Sequence, residues 1–217
     1  MGKAKAKKAT KSGQTAESWG SDVIVDLMQH FDFPYAALNP GSSFRGLHDS
    51  MINYGTNRPQ MLLCPHEETA VQIAHGYAKA TGEPMVAVLH NLVGLLHATM
   101  AIYYAYLDRA PIFIIGATGP LAEEKRRPRI DWIHTANVQG EAIRNYTKWD
   151  YQPASIDGFP ESFTRAYSIM MTEPTGPIYM CYDAGLQETP IDHAVPLPPA
   201  SAARVPTPMA PDPAALA

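Results

Sequence analysis

A chain of 217 residues, 46% of them hydrophobic, is long enough for one buried core plus tails. Its formal net charge of −4 excludes a chain built throughout for nucleic acid, and no run approaches the roughly 18 apolar residues of a membrane span. The two cysteines, Cys64 and Cys181, stand far apart in apolar runs, with no CxxC and no zinc-type Cys/His spacing. They read as buried, reduced thiols of a cytoplasmic protein.

Residues 1–16 carry Lys3, Lys5, Lys7, Lys8 and Lys11 among Ala, Thr and Ser. This reads as a solvated, disordered tail, with a nucleic-acid or membrane-surface role as the alternative. No apolar stretch follows the lysines, so it is not a secretory signal. From Ser18 the apolar spacing of Val23, Ile24, Leu27 and Met28 predicts a helix. Tyr35 to Leu38 predicts a strand that runs into a tight turn at Asn39-Pro40-Gly41-Ser42. A helix over Phe44 to Tyr54 and a strand over Met61 to Cys64 follow. A helix from Glu67 to Ala80 is expected to turn Ala70, Ile73, Ala74, Tyr77 and Ala78 inward, with Thr81-Gly82 closing it. Met85 to Leu89 is a third strand, Leu95 to Tyr106 a helix, and Pro111 to Gly116 an apolar run of the kind buried on both faces of a parallel sheet. A basic loop, Glu123 to Arg129, precedes a helix near Phe159 to Met171 and a last strand, Ile178 to Tyr182.

Strands alternating with helices predict an α/β fold, an open, mostly parallel sheet with helices on both faces. The expected division is a basic tail over 1–16, one folded domain over 17–188, and a Pro-rich extended tail over 189–217, where eight of the twenty prolines lie. Ligands of such sheets gather at the carboxyl ends of strands. Asn39 to Ser43, Pro65 to Glu68 and His90 to Gly94 occupy those positions. Acids in a first helical turn favour the helix dipole, which alone accounts for Glu67 and Glu68. Neighbouring residues on a helix point about 100° apart, so only one of the pair can face a given cleft. A lone turn serine such as Ser42 is ordinarily a cap, and His90 after a strand is ordinarily structural. No G-x-G-x-x-G, P-loop, G-x-S-x-G or H-E-x-x-H is present.

Read whole, Pro65-His66-Glu67-Glu68-Thr69-Ala70, then Gly76-Tyr77-Ala78-Lys79-Ala80-Thr81-Gly82, Asp108-Arg109-Ala110-Pro111 and Pro174 to Tyr182 resemble one family in order and spacing. It is the pyrimidine-binding domain of the thiamine-diphosphate enzymes, which include acetolactate synthase, pyruvate decarboxylase and benzoylformate decarboxylase. The resemblance covers roughly Ser18 to Gln187. It implies that Glu67, nine residues before Gly76-Tyr77-Ala78, is the carboxylate that hydrogen-bonds the coenzyme's aminopyrimidine. A narrower likeness, to the benzoylformate decarboxylases, rests on Asn39 to Ser42, on His90 with Gly94, and on Lys148 to Ser155. It implies catalytic roles for Ser42 and His90, and cofactor contacts for Pro40, Gly41, Gly94 and His97. His66 is expected to orient its loop. Leu92-Val93-Gly94 replaces a Gly-Pro-Gly of many relatives, and His97 replaces an Asn.

The family's Mg²⁺ and diphosphate motif, Gly-Asp-Gly followed by an Asn-rich stretch, is missing from these 217 residues. No metal ligands are therefore expected on this chain. The resemblance implies thiamine diphosphate as cofactor, with Mg²⁺ held by a diphosphate-binding β subunit in an α₂β₂ assembly; a truncated fragment is the other explanation. The implied function is the α subunit of a C–C lyase or decarboxylase acting on a small-molecule carbonyl substrate, a 2-oxo acid or 2-hydroxyacyl-CoA, with carboligation open. No nucleic acid or membrane is expected as partner. The alternative is a non-catalytic stabilising or regulatory subunit. The basic loop Lys125 to Arg129 would either contact a CoA phosphate or simply be solvated. Burial should raise the Glu67 pKa and the helix N-terminus should lower it, and the sequence leaves the net direction open.

Overall fold

A computed structural model describes residues 18–207 and 210–215; the basic segment 1–16 lies outside the described residues. The strands are β1 (Ser18–Trp19), β2 (Tyr35–Leu38), β3 (Gln60–Leu63), β4 (Met85–Val88), β5 (Ile112–Thr118), β6 (Trp149–Tyr151), β7 (Ile178–Asp183) and β8 (Pro190–Ile191). The α-helices are α1 (Gly20–His30), α2 (Arg45–Asp49), α3 (Glu67–Thr81), α4 (Leu92–Leu107), α5 (Ile130–His134), α6 (Phe159–Met171) and α7 (Ala184–Gln187).

Six strands form one parallel sheet in the order β3-β2-β4-β5-β7-β6. Because successive strand residues face opposite ways, each central strand feeds two cores. Leu38, Val86, Val88, Phe113, Ile115 and Met180 pack with α1 and α6. Ala37, Ala87, Ile112, Ile114 and Cys181 pack with α3 and α4 on the other face. The expected α/β architecture is therefore present, with helices on both faces. Cys64 and Cys181 are free and buried.

Four details depart from the sequence reading. The segment read as one helix over Phe44 to Tyr54 is a 3₁₀ turn (Ser42–Phe44), then α2, then a π turn (Ser50–Tyr54). The wider turn shifts the helical register, leaving Ser50 and Met51 buried and Ile52 exposed. In α3 the inner stripe is Glu67, Ala70, Val71, Ala74, His75 and Ala78, and Ile73 stands 39% exposed. A stripe spaced three and four residues from Glu67 leaves no room on that face for Ile73. Helix α4 starts at Leu92 rather than Leu95. At the chain's return, β8 pairs antiparallel with β1, and the Gly20 N–H donates to the Thr189 carbonyl at 2.9 Å. At the end of α3, Gly82 adopts the left-handed conformation and its N–H returns to the Ala78 carbonyl, as the Thr81-Gly82 signal anticipated.

Candidate active site

Strands β3, β2 and β4 are neighbours and parallel, so their carboxyl ends meet on one edge. That edge brings together Asn39 after β2, His66 and Glu67 after β3, and His90 and Asn91 after β4. Glu67 is buried, and both of its oxygens are held. Asn39 Nδ2 donates to Oε1 at 3.1 Å, and His97 Nδ1 lies 3.2 Å from Oε2. His97 comes from the first half of α4, which packs beside α3. His66 caps α3, its Nδ1 accepting from the Glu68 N–H at 3.2 Å. Its ring stacks on His97 at 4.9 Å. The loop-orienting role expected of His66 thus takes the form of a helix cap.

Burial is the strongest single influence on Glu67 and pushes its pKa up. The backbone N–H at the head of the helix, the His97 and Asn39 hydrogen bonds and the His97 charge together outweigh it, so the net direction is down. The net direction that the sequence left open is downward, which favours the charged carboxylate.

His90 is half-buried. Burial lowers its pKa, the charges of His134 and Arg127 add to that, and Glu67 opposes it. The ring is therefore neutral at neutral pH. Its Nδ1 lies 2.9 Å from Ser43 Oγ, which also accepts the Asn91 N–H at 3.0 Å. The 3₁₀ turn after Gly41 buries Ser43 and aims it at His90. Ser42, for which a catalytic role was expected, is half-exposed, and its hydroxyl makes no hydrogen bond among the described residues. Pro40 stands exposed in the turn. His134 of α5 meets His90 edge-on, with ring centroids 5.6 Å apart.

Sequence reasoning put Asn39 to Ser43 at the ligand edge but singled out neither Asn39 nor Ser43 as a site residue, and it missed His134. The Asn-Pro-Gly-Ser-Ser turn held the signal for the first two. A cleft of about 810 Å³ opens near Gln29, Tyr35, Arg58 and Gln60. It lies at the amino ends of β2 and β3, on the opposite edge from this chemistry.

Residues 18–143, more than half of the chain, match the family of thiamine pyrophosphate enzymes through its N-terminal TPP binding domain. The chain belongs to the thiamine pyrophosphate enzymes. It is 30% identical over 160 residues to the acetolactate synthase large subunit of Lactococcus lactis, covering 73% of this chain and 26% of that protein. Two solved structures share its fold at 23% identity. One is a Mycobacterium smegmatis protein assigned provisionally to the thiamin diphosphate-dependent enzymes, with a TM-score of 0.72 over 86% of this chain and 34% of that one. The other is benzoylformate decarboxylase from Polynucleobacter necessarius, with a TM-score of 0.66 over 84% and 33%. The chain thus spans about a quarter of the length of the curated relatives it matches.

The site suits the pyrimidine end of the coenzyme of these enzymes. It offers a buried carboxylate between glycines that keep the approach narrow. A Cβ on Gly94 would stand 3.0 Å from Glu67 Cγ and from His90 Cβ, and one on Gly41 would stand 2.7 Å from the His90 ring. The edge offers a single carboxylate, Glu67, among three imidazoles, which is a poor set for Mg²⁺, an ion bound through carboxylate and phosphate oxygens.

Proposed function

We propose that this chain is the pyrimidine-binding half of a thiamine-diphosphate C–C lyase or decarboxylase whose diphosphate- and Mg²⁺-binding half comes from a partner chain. The observation that carries the reading is Glu67, buried at the strand ends and held charged by Asn39 and His97. When bound, the coenzyme supplies an electron sink at the carbon whose bond is cleaved. Glu67 binds the aminopyrimidine ring and holds or takes up a proton at its Oε atoms. Gly41 and Gly94 let His90 and Glu67 pack close beside the ring, Pro40 borders it from the turn, and His97 orients the carboxylate.

His90 faces the substrate. Ser43 Oγ accepts the Asn91 N–H and still has its own proton to donate to His90 Nδ1; in the tautomer this reading uses, the His90 proton is on Nε2. A neutral imidazole of that tautomer donates to a substrate oxygen. Ser42, with its hydroxyl uncommitted, is placed to bind the substrate's carboxylate.

The substrate class is a 2-oxo acid rather than a CoA thioester. Most of the basic loop is already engaged. Lys125 reaches Thr189, Arg126 bonds the Pro120 carbonyl and stacks on Trp132, and Arg127 pairs with Asp131. Of these four cations, Arg127 is the one in an ion pair, and the Arg129 side chain makes no hydrogen bond, ion pair or ring contact among the described residues.

A partner has a surface to meet. Val93, Leu96, Met100, Tyr103, Tyr104 and Leu107 are exposed on α4 at the three- and four-residue spacing of one face, and His97 lies within that stripe. Such an exposed apolar patch beside the site is what a second domain would cover. No helix among the described residues is long and apolar enough to cross a membrane, and two buried free thiols suit the reducing cytoplasm.

The test is to purify the chain from its source and identify what accompanies it by mass spectrometry, then assay the pair with 2-oxo acids, thiamine diphosphate and Mg²⁺. A companion with the Gly-Asp-Gly and Asn-rich motif, and turnover by the pair, is expected. A chain that arrives alone and binds no coenzyme would overturn the reading.

A further inference from the structure

His66, Glu67 and His97 form a second constellation within the site. One donor atom from each lies within 4.8 Å of the other two. Two of these donors, His97 Nδ1 and Glu67 Oε2, are only 3.2 Å apart. The residues come from the cap of α3, its first turn and the second turn of α4, so two packed helices fix their positions. We propose that this cluster binds a first-row transition-metal dication of the Zn²⁺ class.

The donor set selects the ion. Two imidazoles and a carboxylate match Zn²⁺, Co²⁺, Ni²⁺ or Cu²⁺, whereas Mg²⁺ and Ca²⁺ ask for oxygen ligands throughout. Bonds of about 2.0–2.1 Å to a tetrahedral ion place its ligand atoms roughly 3.4 Å apart. The His97–Glu67 gap already has that span. The His97 side chain is half-exposed, so it has freedom to adjust about a bound ion. His66 gives up only the long 3.2 Å bond from the Glu68 N–H. Three protein ligands leave the fourth position to water. Where Glu67 serves the coenzyme as proposed above, metal and coenzyme exclude one another, because both require the same carboxylate.

The experiment uses the full, untagged chain stripped with chelator and titrated with Co²⁺, read by its visible d–d absorption and by displacement with Zn²⁺. One Co²⁺ per chain is expected, displaced by Zn²⁺ but not by Mg²⁺. His66→Ala, His97→Ala and Glu67→Gln should each weaken binding by at least about tenfold, while Glu68→Gln, which points away, leaves it unchanged. As a reading free of variants, Zn²⁺ should protect His66 and His97 of the wild type from diethyl pyrocarbonate, mapped by mass spectrometry. No bound Co²⁺, equal affinity in all variants, or equal histidine modification with and without Zn²⁺ would overturn the proposal. Its failure is separable from that of the enzymatic reading. A metal that binds while Glu67→Gln turns over normally leaves this site standing and removes the catalytic one, and the reverse pattern does the opposite.

Discussion

Glu67 is held between burial, which favours its neutral form, and a set of donors that favour its charge. The donors win, so its folded pKa lies below the ordinary carboxylate value. A group with a depressed folded pKa stabilises the fold above its unfolded pKa and loses that contribution as pH falls through the folded one. Wild type should therefore lose stability relative to Glu67→Gln as pH drops from about 5 to 3. Melting temperatures of the two proteins across that range check this, and a constant gap would contradict it. Cys181 presents a simpler case. Burial pushes its thiol up to about 12, with the neighbouring Tyr179 side chain opposing. It should resist iodoacetamide at pH 8 in the folded chain and react once unfolded, which peptide mapping would read. At this scale the sequence was informative where a residue's place along the chain settles its surroundings. Glu67 follows an apolar strand and opens a helix, so its position was legible. Its partner His97 lies 30 residues on, inside another helix, and only helix packing joins them. The choice between Ser42 and Ser43 rests on which way a 3₁₀ turn rotates, a difference of one residue that composition does not encode.

Elements were legible where one period dominates. The run Ile112 to Gly116 is buried on both faces because it lies mid-sheet, and α3 carries its cap and its Gly82 stop in the sequence. The short edge strand β6 was not read, since three half-exposed residues carry no period of their own. Its segment does structural work through Lys148, whose ammonium donates to the carbonyls of Ile169 and Thr172 at the carboxyl end of α6. Burial lowers the Lys148 pKa, with Glu173 opposing. Truncation leaves those carbonyls without their cationic donor, so Lys148→Ala should cost about 1–3 kcal/mol in stability. Urea unfolding measures the loss, and an unchanged midpoint would show that the cap is dispensable.

For the whole molecule, the exposed apolar stripe on α4 runs past His97 and so lies beside Glu67. Strand-end motifs announced the ligand edge in the sequence. The stripe was hidden, because residues exposed in this chain and residues of a core share one helical period. If the proposed diphosphate-binding partner covers this stripe, Leu96→Glu with Met100→Glu should weaken their association by roughly 10- to 100-fold, while the isolated chain melts as before. Calorimetric titration of the two chains reads this, and undiminished affinity would place the interface elsewhere. The central claim is that Glu67 is the carboxylate through which this domain works on its coenzyme. Its most direct test is the steady-state turnover of a 2-oxo acid by the assembled pair, wild type against Glu67→Gln, with assembly confirmed by size-exclusion chromatography. The account predicts that kcat falls by about 10²–10⁴-fold with the assembly intact; turnover at the wild-type rate in that variant would contradict it.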